Sequence, residues 1–115
     1  MNPIAPQVGM VFVPVSDLQK ARDWYCEVLG VPANGEMVHN HLYFLPMEGT
    51  GLVLDSSIYS PEAVFQIPAV VLNTADIQAA HQYMKGKSAD VADIQFDKWF
   101  KFQDPDGNLL MICQS

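Results

Sequence analysis

The chain has 115 residues, a length typical of one compact domain with its own hydrophobic core. Half of the residues are apolar or aromatic and only 17% are charged, which excludes a disordered segment, and no run of about 18 apolar residues predicts a membrane span. Thirteen acidic against six basic side chains give a net charge of −7, which disfavours a nucleic-acid partner because polyanions are repelled.

The chain begins with a segment that predicts no element, followed by a strand and a helix. Residues 1–7 contain two prolines and no basic residue, unlike a secretory signal, so we expect a cytoplasmic protein. The β-branched run at 8–15, VGMVFVPV, predicts a strand. Residues 16–19 match a capping box with Ser16 as the N-cap, and the apolar spacing that follows predicts a helix closed by Gly30.

Three short strands are predicted after this helix, at 36–38, 42–47 and 52–55. The residues EGTG at 48–51 predict a hairpin turn between the last two strands. Residues 56–65 show little periodicity and contain a proline, which favours a connection.

The pattern then begins again. Residues 67–72 predict a strand, and a helix closed by Gly86 follows. The motif D-[LI]-Q-x-A begins at Asp17 and again at Asp76, an offset of 59 residues. The chain ends with predicted strands at 91–96, 99–103 and 109–113, the last two joined by the turn DPDGN.

This repetition predicts two similar modules, 8–56 and 66–114, each with the order βαβββ. A sheet with one helix leaves its second face uncovered, so two such sheets are expected to pair within one chain or across a homodimer. A concave space between paired sheets is where a small-molecule ligand is expected to bind.

Two segments carry a resemblance to a known family. FVPVSDLQKARDWYCEVLGV at 12–31 and FQDPDGNLLMI at 102–112 are spaced as in the vicinal-oxygen-chelate superfamily, which this chain resembles. That superfamily includes glyoxalase I, extradiol dioxygenases, fosfomycin-modifying enzymes and bleomycin-resistance proteins. The resemblance implies an α+β fold, with two βαβββ modules forming an incomplete barrel as one glyoxalase-like domain over residues 1–115.

The resemblance also implies where a divalent metal would be held. Enzymes of the superfamily use four side chains, usually His and Glu, one on each of four strands. The corresponding positions here are Met10, Ala69, Met111 and Leu54, or Asp55 if the register slips by one residue. Thioether and alkyl groups do not hold a hard divalent cation. We therefore expect no metal cofactor, and whether the chain is an enzyme stays open.

The same positions predict an apolar binding site for a hydrophobic or cationic small molecule, to which methionine adapts its shape. The predicted ligand-binding residues are Met10, Phe12, Tyr43, Leu54, Ala69, Trp99 and Met111. A protein that binds or sequesters its ligand, as in the bleomycin-resistance branch, is the favoured function. The competing interpretation is that these side chains meet each other and form ordinary core.

Two further functions stay open. His39 and His41 share a face if their segment is a strand, and His41 with Asp55 would then offer a shifted divalent-metal site. Such a site would suit a metal-dependent lyase, transferase or dioxygenase. The competing interpretation is an exposed histidine pair at a strand end, with Asp55 bonding backbone amides. The other function is a structural or regulatory dimer that binds no ligand.

Overall fold

The computed structural model describes residues 2–115, so Met1, the first residue of the predicted domain, lies outside the description. The chain divides into two compact units between Ile58 and Tyr59. Each unit contains one helix and one three-stranded sheet in the order βαββ. Within the described part of the chain, no helix has both the length and the apolar character needed to cross a membrane.

The first unit places its last strand in the middle of the sheet. Its elements are β1 (Met10–Pro14), α1 (Leu18–Leu29), β2 (Leu42–Phe44) and β3 (Gly51–Asp55). The strand order is β1-β3-β2, with β1 parallel and β2 antiparallel to β3. The β1-to-β3 connection therefore passes through the helix, as parallel neighbours require.

The second unit repeats this topology. Its elements are β4 (Val71–Thr74), α2 (Ile77–Lys85), β5 (Trp99–Gln103) and β6 (Leu109–Gln114). The strand order is β4-β6-β5, again with one parallel and one antiparallel neighbour of the central strand. The two sheets therefore have the same strand order and the same pairing directions.

Each sheet has three strands where four were predicted. The predicted strands at 36–38 and 91–96 make only isolated bridges to their neighbours. These bridges join Val38 to Leu42, Val91 to Phe102 and Gln95 to Trp99. In each unit the segment predicted as the first strand after the helix is therefore only one arm of a short hairpin.

Each of these short arms leads into a tight turn with left-handed backbone. His39 and Asn40 have φ of 53° and 63°, and Phe96 and Asp97 both have φ of 54°. Two consecutive residues with positive φ are typical of tight hairpin turns, and here Val38 pairs with Leu42 and Gln95 with Trp99 across them, each through one isolated bridge. His39 lies in the first of these turns, not in a strand. The strand face that His39 and His41 were expected to share therefore does not form.

Prolines shorten two other predicted strands. The strand predicted at 42–47 ends at Phe44, shortly before Pro46, and the strand predicted at 67–72 begins only at Val71, after Pro68. Proline has no amide hydrogen to give to a ladder, so pairing stops near it.

Both helices begin at an aspartate. Asp17 has an extended φ of −135° and its carboxylate accepts from the Lys20 amide at 3.0 Å, so the prediction of Ser16 as N-cap is wrong by one residue. Asp76 accepts from the Ala79 amide at 3.1 Å in the same way. Gly30, with φ of 68°, ends α1 as predicted.

The core of each unit lies between the helix and one face of the sheet. In the first unit the guanidinium of Arg22 on α1 lies 6.0 Å from the Tyr43 ring centroid. In the second unit the His81 ring on α2 lies 4.9 Å from the Phe100 ring. The fully buried side chains on these helix-covered faces include Val13, Tyr43, Leu54, Phe100, Phe102 and Leu110. The opposite face of each sheet is not covered by its own helix.

The DPDGN motif forms the predicted turn and fastens it to another segment. Asp104 accepts from the backbone amides of Asp106 and Asn108, both at 2.9 Å, and its carbonyl accepts from Gly107 at 3.0 Å. The buried Asn108 side chain donates to Asp104 at 2.8 Å and accepts from the Phe65 amide at 2.9 Å. The motif therefore connects the β5–β6 hairpin to the segment before β4.

Candidate functional site

On the face of the first sheet that α1 does not cover, apolar side chains of both edge strands are exposed, whereas Val53 and Asp55 of the central strand are buried. Residues paired across neighbouring strands point to the same side, and Val53 of β3 is paired with both Phe12 and Phe44. Met10 and Asp55 share this side by alternation. We call it the first open face; its residues are Met10, Phe12, Pro14, Leu42, Phe44, Gly51, Val53 and Asp55. The large apolar side chains Met10, Phe12 and Phe44 are 41% to 47% exposed.

Two predicted ligand-binding residues lie on the other side of this sheet. Leu54 is paired with Val13 and Tyr43, and all three side chains are buried on the face that α1 covers. The Tyr43 hydroxyl accepts from the Gly35 amide at 3.2 Å. The expectation that Leu54 shares a face with Met10 is therefore wrong, because adjacent residues of a strand point in opposite directions.

The strand pairing also corrects the fourth position implied for a metal ligand. Phe12 is paired with Val53, and Val71, which lies 59 residues after Phe12, is paired with Met111. The counterpart of Met111 in the first unit is therefore Val53, neither Leu54 nor Asp55. The residues at the four implied positions are Met10, Val53, Ala69 and Met111.

The uncovered face of the second sheet is also apolar over part of its area. Val71 is paired with Met111, which is paired in turn with Lys101, and Trp99 shares this side by alternation. We call it the second open face; its residues are Val71, Asn73, Trp99, Lys101, Gln103, Leu109, Met111 and Cys113. Val71 is exposed, whereas Trp99 and Met111 are partly exposed. Ala69 is exposed but lies in the segment before β4.

One exposed aromatic residue extends the second open face. Phe96 lies in the left-handed turn before β5 and is 82% exposed, with its ring centroid 5.3 Å from that of Trp99. A large apolar side chain is unusual both at this exposure and at this φ.

The first open face ends in a hydrogen-bonded cluster around a buried carboxylate. Asp55, the last residue of β3, is only 4% exposed. Its Oδ1 accepts from the Ser57 amide at 2.9 Å and from the Ser57 hydroxyl at 2.7 Å, and it lies 3.1 Å from Nδ1 of His41. We call His41, Asp55 and Ser57 the Asp55 cluster.

Asp55 is held in its ionised form. Burial by itself would raise the pKa of this carboxyl, but the hydrogen bonds from Ser57 and the interaction with His41 outweigh burial and lower the pKa below its ordinary value of 3.8. Because an ionised carboxylate can only accept, Nδ1 of His41 carries the shared hydrogen.

The donors do not suit a divalent metal. The structure brings His41 and Asp55 together as the alternative prediction required, but they bond to each other, and the His39 ring centroid is 6.3 Å from that of His41. Among residues 2–115 no group of three His, Cys, Asp or Glu side chains lies together as a metal site requires.

Phe44 and Ser57 were missed by sequence reasoning. Alternation along 42–44 would have placed Phe44 on the same side as Leu42, once that segment was accepted as a strand. The serine carries a weaker signal, since Asp-Ser-Ser after an apolar run favours a local side-chain-to-backbone turn without showing which serine bonds.

Comparisons with known proteins agree on one family. A model of the Glyoxalase/Bleomycin resistance protein/Dioxygenase superfamily matches residues 7–112. TnmS3, an antibiotic binding protein from Streptomyces sp. CB03234, is 26% identical with a TM-score of 0.72, covering 99% of this chain and 98% of that one. A glyoxalase/bleomycin resistance protein from the same strain is 26% identical with a TM-score of 0.67, covering 93% and 99%.

A more distant structure shows the same fold. A superfamily member from Sphaerobacter thermophilus DSM 20745 is 22% identical with a TM-score of 0.72, covering 96% of this chain and 98% of that one. Among curated proteins, none matches this chain. The α+β fold that the sequence resemblance implied is thus confirmed.

Proposed function

We propose that this chain, which belongs to the Glyoxalase/Bleomycin resistance protein/Dioxygenase superfamily, binds a small hydrophobic or cationic molecule and uses no metal to do so. The observation that carries this proposal is the set of side chains at the four implied metal positions. Met10, Val53, Ala69 and Met111 offer no carboxylate and no imidazole. Thioether and alkyl groups are poor partners for a hard divalent cation but good partners for an apolar ligand.

The exposed apolar side chains support this function. A contiguous apolar surface on a small protein commonly marks an interaction site, because leaving it in water is unfavourable. The first open face offers Met10, Phe12 and Phe44, and the second offers Val71, Trp99 and Met111. The likeness to TnmS3, an antibiotic binding protein, supports a binding function as well.

A ligand titration tests the proposal. We expect neutral aromatic probes such as 2-phenylethanol and 1-naphthol to shift the backbone amide resonances of the first or the second open face. A ligand at a hundredfold excess over its dissociation constant raises the free energy of unfolding by about 2.7 kcal/mol, so the melting temperature rises as well. Phe12→Ala should weaken binding to the first face, and Trp99→Ala should weaken binding to the second.

The control is an apolar residue outside both faces. Ile67 is exposed in the segment before β4, so Ile67→Ala should leave binding unchanged. The proposal fails if no probe shifts either face, or if the protein purifies with a stoichiometric divalent ion that the probes need for binding.

A metal-dependent lyase, transferase or dioxygenase with a shifted site is the second candidate. It is favoured by one observation, the meeting of His41 and Asp55 at 3.1 Å. Calorimetric titration of the purified protein with Zn²⁺ and Mn²⁺ separates the candidates. Saturable binding that His41→Ala and Asp55→Asn both abolish would favour the enzyme.

We also propose that the chain is a homodimer. The second face of each sheet is not covered by its own helix, and the exposed apolar side chains there support an association that shields them from water. Sedimentation equilibrium measures the mass directly. A monomer at micromolar concentration would contradict this part of the proposal.

A further inference from the structure

We infer that the first open face contains a cation-binding point, the Oδ2 oxygen of Asp55, and that its ligand is a small aromatic molecule with a protonated amine. This inference rests on the proposed binding function and names the ligand class. It predicts that the first open face prefers a cationic ligand. The apolar side chains alone would bind a neutral ligand equally well.

The hydrogen bonds of Asp55 are distributed unevenly between its two oxygens. Oδ1 takes all three contacts, two from Ser57 and one from His41, at 2.7 to 3.1 Å. Oδ2 accepts from none of the residues 2–115. No buried side-chain oxygen or nitrogen in this range lacks a partner, so Oδ2 is not sealed from solvent. One half of a nearly buried carboxylate is therefore available to a ligand.

The negative charge of Asp55 has no lysine or arginine as its partner among residues 2–115. Its side-chain contacts in that range are with Ser57 and with the imidazole of His41. A buried carboxylate binds a cation strongly, because little water competes for it and a charge-assisted hydrogen bond is about twice as strong as a neutral one. An incoming ammonium group would find an ionised oxygen with no permanent partner.

The surroundings of this oxygen suit an aromatic ligand. Phe12, Val53 and Phe44 form a row across the three strands, and Asp55 lies two residues beyond Val53 on the same side. Two residues of strand span about 7 Å. A ring packed over the row and an ammonium group on a two-carbon arm would match this distance. Exposed aromatic rings also attract cations.

A simpler structural role explains only part of the geometry. Asp55 holds the chain after β3 through its contacts with Ser57, as strand-end aspartates commonly do. That role needs a single oxygen, and Oδ1 supplies it. It gives no reason for an ionised Oδ2 left without a hydrogen-bond partner on the same sheet face as two exposed aromatic side chains.

A matched pair of probes tests the inference. Phenethylammonium and 2-phenylethanol have the same ring and arm and differ in charge. We titrate each into the full ¹⁵N-labelled chain and follow the amides of residues 42–44 and 53–57. The ammonium should bind at least tenfold more tightly than the alcohol. Asp55→Asn should remove most of this preference and leave alcohol binding unchanged.

Ser57→Ala is the control, because it removes one hydrogen bond to Oδ1 and keeps the charge and Oδ2. It should retain the preference for the ammonium. If Asp55→Asn does not fold, the comparison of the two probes in the unmodified chain decides alone. Equal affinities, or ammonium shifts confined to other residues, would overturn the inference while leaving the proposed function in place. Failure of both probes to bind would overturn both.

Discussion

Nδ1 of His41 and Oδ1 of Asp55 lie 3.1 Å apart, joining the turn before β2 to the end of β3. The imidazole is partly exposed, whereas the carboxylate is nearly buried. The hydrogen bonds from Ser57 to the same oxygen and this contact with His41 together lower the pKa of Asp55 below its ordinary value, although burial alone would raise it. The relationship makes the stability of the first unit depend on pH.

The pKa of Asp55 predicts a loss of stability in acid. A carboxyl whose folded pKa is depressed stabilises the fold above its unfolded pKa, and this contribution is lost as the pH falls through the folded value. The pH range in which this stabilisation is lost therefore begins near the ordinary pKa of 3.8 and extends to lower pH. We expect the free energy of unfolding of Asp55→Asn to approach that of the original chain as the pH falls from about 5 to about 2.

Urea unfolding at a series of pH values measures this difference. Asp93→Asn provides a control, since Asp93 is exposed in the segment before β5. The difference in free energy of unfolding between Asp93→Asn and the original chain should not shrink as the pH falls. A constant gap between Asp55→Asn and the original chain across the whole range would contradict the assigned pKa direction.

Phe96 predicts a substitution that stabilises the protein. Its φ of 54° is unfavourable for a side chain with a β-carbon, by roughly 1–2 kcal/mol, and asparagine tolerates this region better. Since Phe96 is also 82% exposed, its ring gains little from burial. Phe96→Asn should raise the free energy of unfolding by about 1 kcal/mol. Thermal unfolding measures it.

The equivalent turn of the first unit offers the matched control. Asn40 already occupies a left-handed position, with φ of 63°, so Asn40→Gly should change stability by only a few tenths of a kcal/mol. If Phe96→Asn were instead destabilising, the contact between the Phe96 and Trp99 rings would have to outweigh the backbone strain.

Replacing the buried Asn108 is predicted to lower the free energy of unfolding substantially. Its buried side chain donates to Asp104 and accepts from the Phe65 amide, so Asn108→Ala leaves the Phe65 amide without this acceptor and removes one of the hydrogen bonds to Asp104. A buried donor left without an acceptor costs about 1–3 kcal/mol. Chemical denaturation should show a loss in this range or above it. Asn34→Ala, at an exposed asparagine, should cost less than about 0.5 kcal/mol.

The sequence predicted best those elements whose contacts join residues close together in the chain, namely the two helices. Both helices were predicted from apolar spacing and a closing glycine, because helical contacts span three or four residues. Even there the N-cap was wrong by one residue. Ser16 and Asp17 both carry an accepting oxygen, and only the backbone angles decide which of them reaches the third amide of the helix.

Strand register was the part that the sequence could not decide. Matching the strand predicted at 52–55 to the one at 109–113 depended on similar apolar residues, which fit equally well after a slip of one position. Pairing with β1 and β4 removes the ambiguity, because it fixes Val53 opposite Phe12 and Met111 opposite Val71. The slip moves every side chain of a strand to the other face.

The candidate site was predicted only in part for the same reason. All four residues Met10, Phe12, Tyr43 and Leu54 were predicted to bind a ligand; Met10 and Phe12 lie on the first open face, whereas Tyr43 and Leu54 are buried beneath α1. The Asp55 cluster depends on a tight turn at His39, which is neither glycine nor asparagine and gives no warning of a positive φ. Non-local pairing, and turns that lack their usual residues, limit what one sequence reveals.

Leu54 and Met10 provide the sharpest test of this corrected facing, because they are both large apolar residues in paired strands of one sheet. Leu54 is fully buried under α1, so Leu54→Ala should cost about 2–5 kcal/mol through lost burial and the cavity it leaves. Met10 is 47% exposed, so Met10→Ala should cost about 1 kcal/mol or less and should instead weaken the binding of aromatic probes. Equilibrium unfolding in urea, with probe titration of each folded variant, measures both effects. If the two costs were equal, or if Leu54→Ala changed probe binding while stability held, Leu54 would have to lie on the open face.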